Sequence, residues 1–140
     1  MALTLVFTLA EENYGLEIDA IQEVVEDPVV HYVPQAEGVL LGSINFHGRI
    51  LSLIDLPALL GFDDEKRDHR RVVLTPEYQS LVLTVSSVKR IVKLDLSLLR
   101  PSPGADARNA VRGVLDLDGV LINMLDLEEV LAQLRVIYHD

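Results

Sequence analysis

The chain predicts an all-β fold with short helices: two small closed barrels from an internal duplication, and a C-terminal helix. Three observations predict it. Apolar and polar residues alternate in short runs separated by turn signals. Residues 42–60 recur at 113–131 without a gap. The composition, 49% hydrophobic and 24% charged over 140 residues, supports a single core that folds without staples.

The elements follow in order. Leu3, Leu5, Phe7 and Leu9 alternate with Thr4, Val6 and Thr8, a strand with one face in a core. Glu11-Glu12-Asn13 turns it into a second strand carrying Tyr14, Leu16 and Ile18. Strand pairs are expected at 43–46 and 49–54 around His47-Gly48, at 71–75 and 81–85 around Pro76–Gln79, and at 111–117 and 120–125 around Asp118-Gly119. Asp55 is read as the cap of a single turn, Leu56–Leu60, with Pro57 inside it and Gly61 ending it. Asp126 caps a longer helix, with Glu129 completing a capping-box pattern and Leu127, Val130, Leu131, Leu134 and Ile137 at helical spacing. The charged run 63–70 and the breaker-rich stretch 101–106 read as surface loops. Val24-Val25 and Val29-Val30 read as core first and as an interaction patch second.

The repeat ties these elements together. At an offset of 71, Gly42, Gly48, Asp55, Leu56 and Leu60 meet Gly113, Gly119, Asp126, Leu127 and Leu131. At an offset of 67, Leu16, Ile18, Ile21 and Val24 meet Leu83, Val85, Val88 and Ile91. Each half, about 1–65 and 66–140, therefore reads as strand pair, linker, glycine-centred hairpin and Asp-led helix. Two barrels side by side leave a junction, a common place for a partner to bind.

Several function classes recede on the same residues. The net charge of −10 opposes nucleic-acid backbones and polybasic membrane anchoring. Absent cysteine excludes disulfides, thiolate chemistry and sulfur-ligated zinc. No apolar run has the length of a membrane-spanning helix, and residues 1–9 lack the basic start of a secretion signal, so a cytoplasmic protein without membrane insertion is expected. The four histidines show no metal-ligand spacing, and Gly-x-Ser-x-Gly and phosphate-loop motifs are missing. Asp116-Leu-Asp-Gly119 lacks the further ligands of a calcium loop and reads as a hairpin turn. No catalytic residue, cofactor or metal site is expected. A small hydrolase would need carboxylates or a Ser–His pair brought together by the fold.

The ordered set Phe7-Thr-Leu9, Tyr14-Gly-Leu-Glu-Ile18, Ile21-Gln-Glu-Val24, Val33-Pro34, Gly42-Ser-Ile-Asn-Phe-His-Gly48 and Ile50–Leu56 resembles the CheW-like domain family, the bacterial chemotaxis coupling proteins. The second half adds Leu83–Val88, Gly113-Val114 and Leu121–Leu127, so one such domain spans residues 1–140. The resemblance implies two intertwined five-stranded barrels of SH3-like type. It implies a non-enzymatic adaptor in two-component signal transduction. Its partners would be the cytoplasmic tip of a methyl-accepting chemoreceptor, lying along the groove between barrels, and the regulatory domain of a histidine kinase, docking through barrel ends. It carries partner binding onto Ile21, Glu23 and Val24, and onto the hairpin Asn45, Phe46, His47 and Gly48.

Four positions depart from the family pattern. His47 replaces an arginine, Ser52 a proline, Pro57 an arginine and Ser86 an aspartate. Losing the forked cation at 47 is the largest change. Arg49, two residues on, is expected to point to the same side and compensate in part. These departures leave two alternatives: a docking module for twitching or gliding motility, and a stand-alone domain of the kinase-regulatory type.

Overall fold

A computed structural model describes residues 1–33, 38–102 and 109–138. Pro34, positions 103–106 of the breaker-rich stretch, and His139 lie outside the described residues. Among the described residues, eleven strands and two α-helices follow in the order β1 (Ala2–Leu9), β2 (Glu12–Glu17), β3 (Ile21–Glu26), β4 (Val30–Tyr32), β5 (Leu40–Phe46), β6 (Arg49–Asp55), α1 (Leu56–Leu59), β7 (Arg70–Leu74), β8 (Val82–Thr84), β9 (Ser87–Leu94), β10 (Val111–Leu117), β11 (Val120–Leu125) and α2 (Leu127–Tyr138). One sheet has five strands in the order β10-β11-β2-β1-β9. The other has six, β3-β7-β8-β6-β5-β4, the sixth being the three-residue β4.

The sheets do not follow the sequence halves. The first takes β1 and β2 from the beginning of the chain and β9, β10 and β11 from its later part. The exchange is carried by two short parallel contacts, β6 on β8 (Leu53↔Val82) and β11 on β2 (Met124↔Gly15). Those contacts correspond residue for residue, at offsets of 71 and 67. The β5–β6 hairpin pairs with its partners as the β10–β11 hairpin does, and both carry a bulge beside their glycine, before Gly42 and before Gly113. Likewise β3 on β7 matches β9 on β1, with the bulge falling at Gln22 in one and at Lys89 in the other.

Three apolar clusters follow from this arrangement. Val6, Leu115, Ile122 and Met124 fill one barrel, and Val73, Ile44, Leu51 and Leu53 fill the corresponding places in the other. The largest cluster packs one face of both sheets together. It takes Leu5, Phe7, Tyr14 and Leu16 from the first sheet, Leu74 and Leu83 from the second, and Leu127, Val130, Leu131 and Leu134 from α2. Tyr14 is fully buried here, stacked on Phe7 at 6.1 Å and donating its hydroxyl to the Asn109 carbonyl at 3.0 Å. The junction between barrels is thus mostly core.

The valine pairs split between faces. Val25 and Val30 pack on the second barrel's core, whereas Val24 (37% exposed) and Val29 (75%) do not. The core reading holds for one member of each pair: Val24 and Val25, adjacent on β3, point to opposite faces, and Val29 precedes β4.

Asp126 accepts from the Glu129 backbone N–H at 3.2 Å, as a cap does. Asp126→Ala is expected to lower stability by ~1 kcal/mol, read as a shift in the urea midpoint. Asp55 behaves differently and corrects the capping expectation. It makes no cap bond; its carboxylate accepts from Arg67 Nε at 2.9 Å and Nη2 at 3.3 Å. Arg67 also donates to Asp64 Oδ1 at 3.0 Å, and Asp64 Oδ2 accepts from the Ser86 hydroxyl at 3.0 Å. Asp68, its side chain only 6% exposed, accepts from the Val88 N–H at 2.7 Å and from Arg70 Nε and Nη2 at 3.0 Å each. The run 63–70 is therefore a surface loop at Asp63, Glu65, Lys66 and His69, which are exposed, while Asp64, Arg67, Asp68 and Arg70 turn inward. It ties the second sheet to the segment leading into β9, and Asp64 brings a carboxylate to buried Ser86, where the family pattern carries its own.

Candidate functional site

The β5–β6 turn is built for a tight reversal. His47 and Gly48 both take left-handed backbone angles, φ 50° and 82°, and Asn45 Oδ1 accepts from the Gly48 N–H at 3.0 Å. Asp118 and Gly119 repeat this at φ 52° and 86°, with Asp116 Oδ1 accepting from the Gly119 N–H at 2.8 Å. The aspartates of that hairpin thus shape a turn, as the sequence suggests.

The turn brings its exposed imidazole to β3. His47 Nε2 lies 3.7 Å from Glu23 Oε1, both side chains facing solvent. Two stretches more than twenty residues apart in sequence, each singled out by the family resemblance, so meet in one face. Val24 lies beside Glu23 on the same strand, and Ile21 packs half-buried against the main core. Asn45, His47, Gly48 and Arg49 are exposed. Phe46 is not: its ring is 6% exposed and fills the second barrel, 4.3 Å from the His47 ring, so it anchors the turn from within.

Arg49 departs from the expectation set by alternation. His47 is a turn residue, so strand periodicity does not run from it to Arg49. Arg49 pairs across the hairpin with Phe46, and its Nη2 donates to Ser80 Oγ at 3.2 Å. Ile50, 67% exposed, joins the outer surface of the same hairpin. The sequence signal for it was available: with Leu51 and Leu53 buried, period two turns Ile50 and Ser52 outward.

A second β3 carboxylate repeats the pairing. His69 Nε2 lies 3.2 Å from Glu26 Oε1. The seam between the barrels opens at one side into a cleft of about 340 Å³ where Leu16, Tyr78 and Leu125 are rimmed by Glu17, Asp19, Asp126 and Glu128. Arg112 reaches Glu17 there at 2.8 Å. Among the described residues no helix is long and apolar enough to cross a membrane, and no group of three or more His, Asp or Glu is placed to hold a metal.

Two intertwined barrels, each with a tight hairpin and joined along a shared apolar core, define a class of paired-barrel β-domain. The model of the CheW-like domain matches residues 3–135, and the chain belongs to that family. Among its relatives is the chemotaxis protein CheW of Thermotoga maritima, 29% identical over 134 residues, which cover 93% of this chain and 87% of that one. The CheW of Rhizobium meliloti is 27% identical over 129 residues, covering 89% and 83%. The crystal structure of the scaffolding protein TtCheW from Thermoanaerobacter tengcongensis superposes with a TM-score of 0.77 at 29% identity, covering 88% of this chain and 87% of that one. The function is that of a chemotaxis-type adaptor, a scaffold in the coupling of receptor to kinase.

Proposed function

We propose that the edge strand β3 at Glu23 and Val24, together with the turn 45–49, holds the helical cytoplasmic tip of a chemoreceptor. The regulatory domain of a histidine kinase docks on a separate barrel surface. The observation that carries this reading is the 3.7 Å approach of His47 to Glu23, which joins the two family-marked stretches into one surface. A helix laid there finds exposed Val24 as apolar footing and Glu23 as an acceptor for a cation. The adaptor contributes geometry, biasing which arrangement of the kinase is populated, and performs no chemistry of its own.

Replacing arginine by histidine at 47 leaves Glu23 without a permanent cation beside it. That single change favours a second reading, in which the receptor and kinase belong to a twitching or gliding pathway. Titrating the chain with receptor-tip fragments and kinase regulatory domains from the same cell separates the two. Glu23→Lys is expected to weaken receptor-tip binding about tenfold while sparing kinase binding. His47→Arg is expected to strengthen it, and Arg49→Ala to change it little, since Arg49 is turned to Ser80. Unchanged affinity for Glu23→Lys would remove the face from the reading.

A further inference from the structure

The two halves finish the same corner of the fold differently. In the first, Asp55 ends β6, gives its N–H to the Val39 carbonyl at 2.7 Å and pairs across the strands with Thr84. In the second, Asp126 follows β11 and gives its N–H to the Ala110 carbonyl at 2.7 Å. Ala110 is the counterpart of Val39 at the offset of 71. Glu17 and Asp19 are the counterparts of Thr84 and Ser86 at the offset of 67.

What covers the corner is not repeated. Beyond Leu60 the run 63–70 folds back, so the Arg67 guanidinium forks onto Asp55 at 2.9 and 3.3 Å and Asp64 reaches Ser86. Beyond Leu131 the second half continues as α2 to Tyr138, and no strap returns over Asp126 among the described residues. The second corner is the open cleft of about 340 Å³ at the seam.

The open copy is also the more acidic. Glu17, Asp19 and Asp126 stand where the covered copy has one carboxylate and two hydroxyls, and Glu77 and Glu128 join them on the rim. Arg112 answers Glu17 at 2.8 Å. Among the described residues no Lys or Arg lies within ion-pair distance of the other four. Asp126 uses Oδ1 for the Glu129 N–H, and its Oδ2 has no donor among the described residues. Tyr78, in the same cleft, feels the excess. Burial first, then the charges of Glu77, Glu128 and Glu17, raise the pKa of its phenol, and Arg112 offsets them in part.

We propose that this cleft receives an arginine from a basic segment of a partner protein. Arg67 displays the fit at the equivalent corner, a guanidinium forked onto the aspartate that ends the strand. Leu16, Leu125 and Tyr78 give the aliphatic stem an apolar floor. A metal ion does not suit the site, because among the described residues no three carboxylates are placed to share one. A planar cation with several donors spans separate oxygens. No lining residue belongs to β3 or to the turn 45–49, so this surface is independent of the receptor-tip reading.

An NMR titration of the full chain with the blocked peptide acetyl-Leu-Arg-Leu-amide tests this. Saturable shifts are expected at the amides of 16–20, 77–78 and 125–128, while exposed Glu11, Glu12 and Asp63 stay unmoved. The lysine peptide is expected to bind several-fold more weakly. E17T/D19S, which copies the covered corner, is expected to raise the dissociation constant about tenfold. D126N, which keeps a capping side chain, is expected to raise it several-fold. Unchanged spectra away from the cleft show both variants folded. Shifts spread over the whole acidic surface, no saturable binding, equal binding of the lysine peptide, or folded variants that bind like the wild type would each overturn the proposal. So would binding that emerges only in R108A, which would assign the cleft to this chain's own 103–108 segment.

Discussion

Asp68→Asn is expected to destabilise the protein by ~2–3 kcal/mol near neutral pH, the scale of losing charge-assisted hydrogen bonds at a shielded site. The carboxylate ends a loop at one side of the seam and accepts from the Val88 N–H, from the Arg70 N–H at 2.9 Å and from the Arg70 guanidinium. Burial alone would raise its pKa. The hydrogen bonds from Arg70 and Val88, with Arg70's positive charge, outweigh burial and hold it down at about 2, against an ordinary 3.8. A folded-state value below the unfolded one means the stabilisation is complete above the unfolded value. It disappears as pH falls through the window from about 4 to about 2. Wild type and Asp68→Asn should therefore differ in urea midpoint near neutral pH and converge towards about pH 2. A constant difference across that range would show that the group does not titrate as its surroundings require.

Gly42→Ala is expected to cost ~2–4 kcal/mol and to detach β4 from β5. Gly42 is paired with Tyr32, and its φ of 154° is one that L side chains rarely adopt. A Cβ there would run into the His31 carbonyl oxygen and lie 2.9 Å from the Tyr32 Cα, all backbone that cannot swing aside. A Cβ on its counterpart Gly113 would likewise come within 2.7 Å of the Arg100 carbonyl oxygen, where Arg100 bridges to Val114. The repeated glycine thus marks a repeated crossing of backbone over backbone. Hydrogen exchange at Val33, whose N–H bonds to the Leu41 carbonyl, should rise in Gly42→Ala well before global unfolding. Protection equal to wild type would exclude the crossing as its cause.

The hairpins β5–β6 and β10–β11 were legible because turn chemistry and period two coincide in them twice. β3 and β9 were not, since their bulges at Gln22 and Lys89 break the alternation that marks a strand. β4 is too short to show a period. The role of Asp55 and the inward-turned side chains of the run 63–70 escaped the sequence for a different reason. Their partners, Arg67, Ser86 and Val88, are 12 to 22 residues away, and sequence spacing carries no signal for such contacts. The Glu23–His47 face was found only in pieces, through family resemblance; its assembly depends on how the second barrel curls. Arg49 shows the limit of periodicity, which restarts on the far side of a turn.

The traded strands set the order of events during synthesis. The first barrel needs residues 2–17 and also residues 87–125, so its opening hairpin waits, apolar face uncovered, until the last strands leave the ribosome. The second barrel lies wholly between those segments and can close first. Such long-range pairing slows folding and lengthens exposure to aggregation. A released chain truncated near residue 90 should therefore protect β5 through β8 while leaving β1 and β2 open to protease.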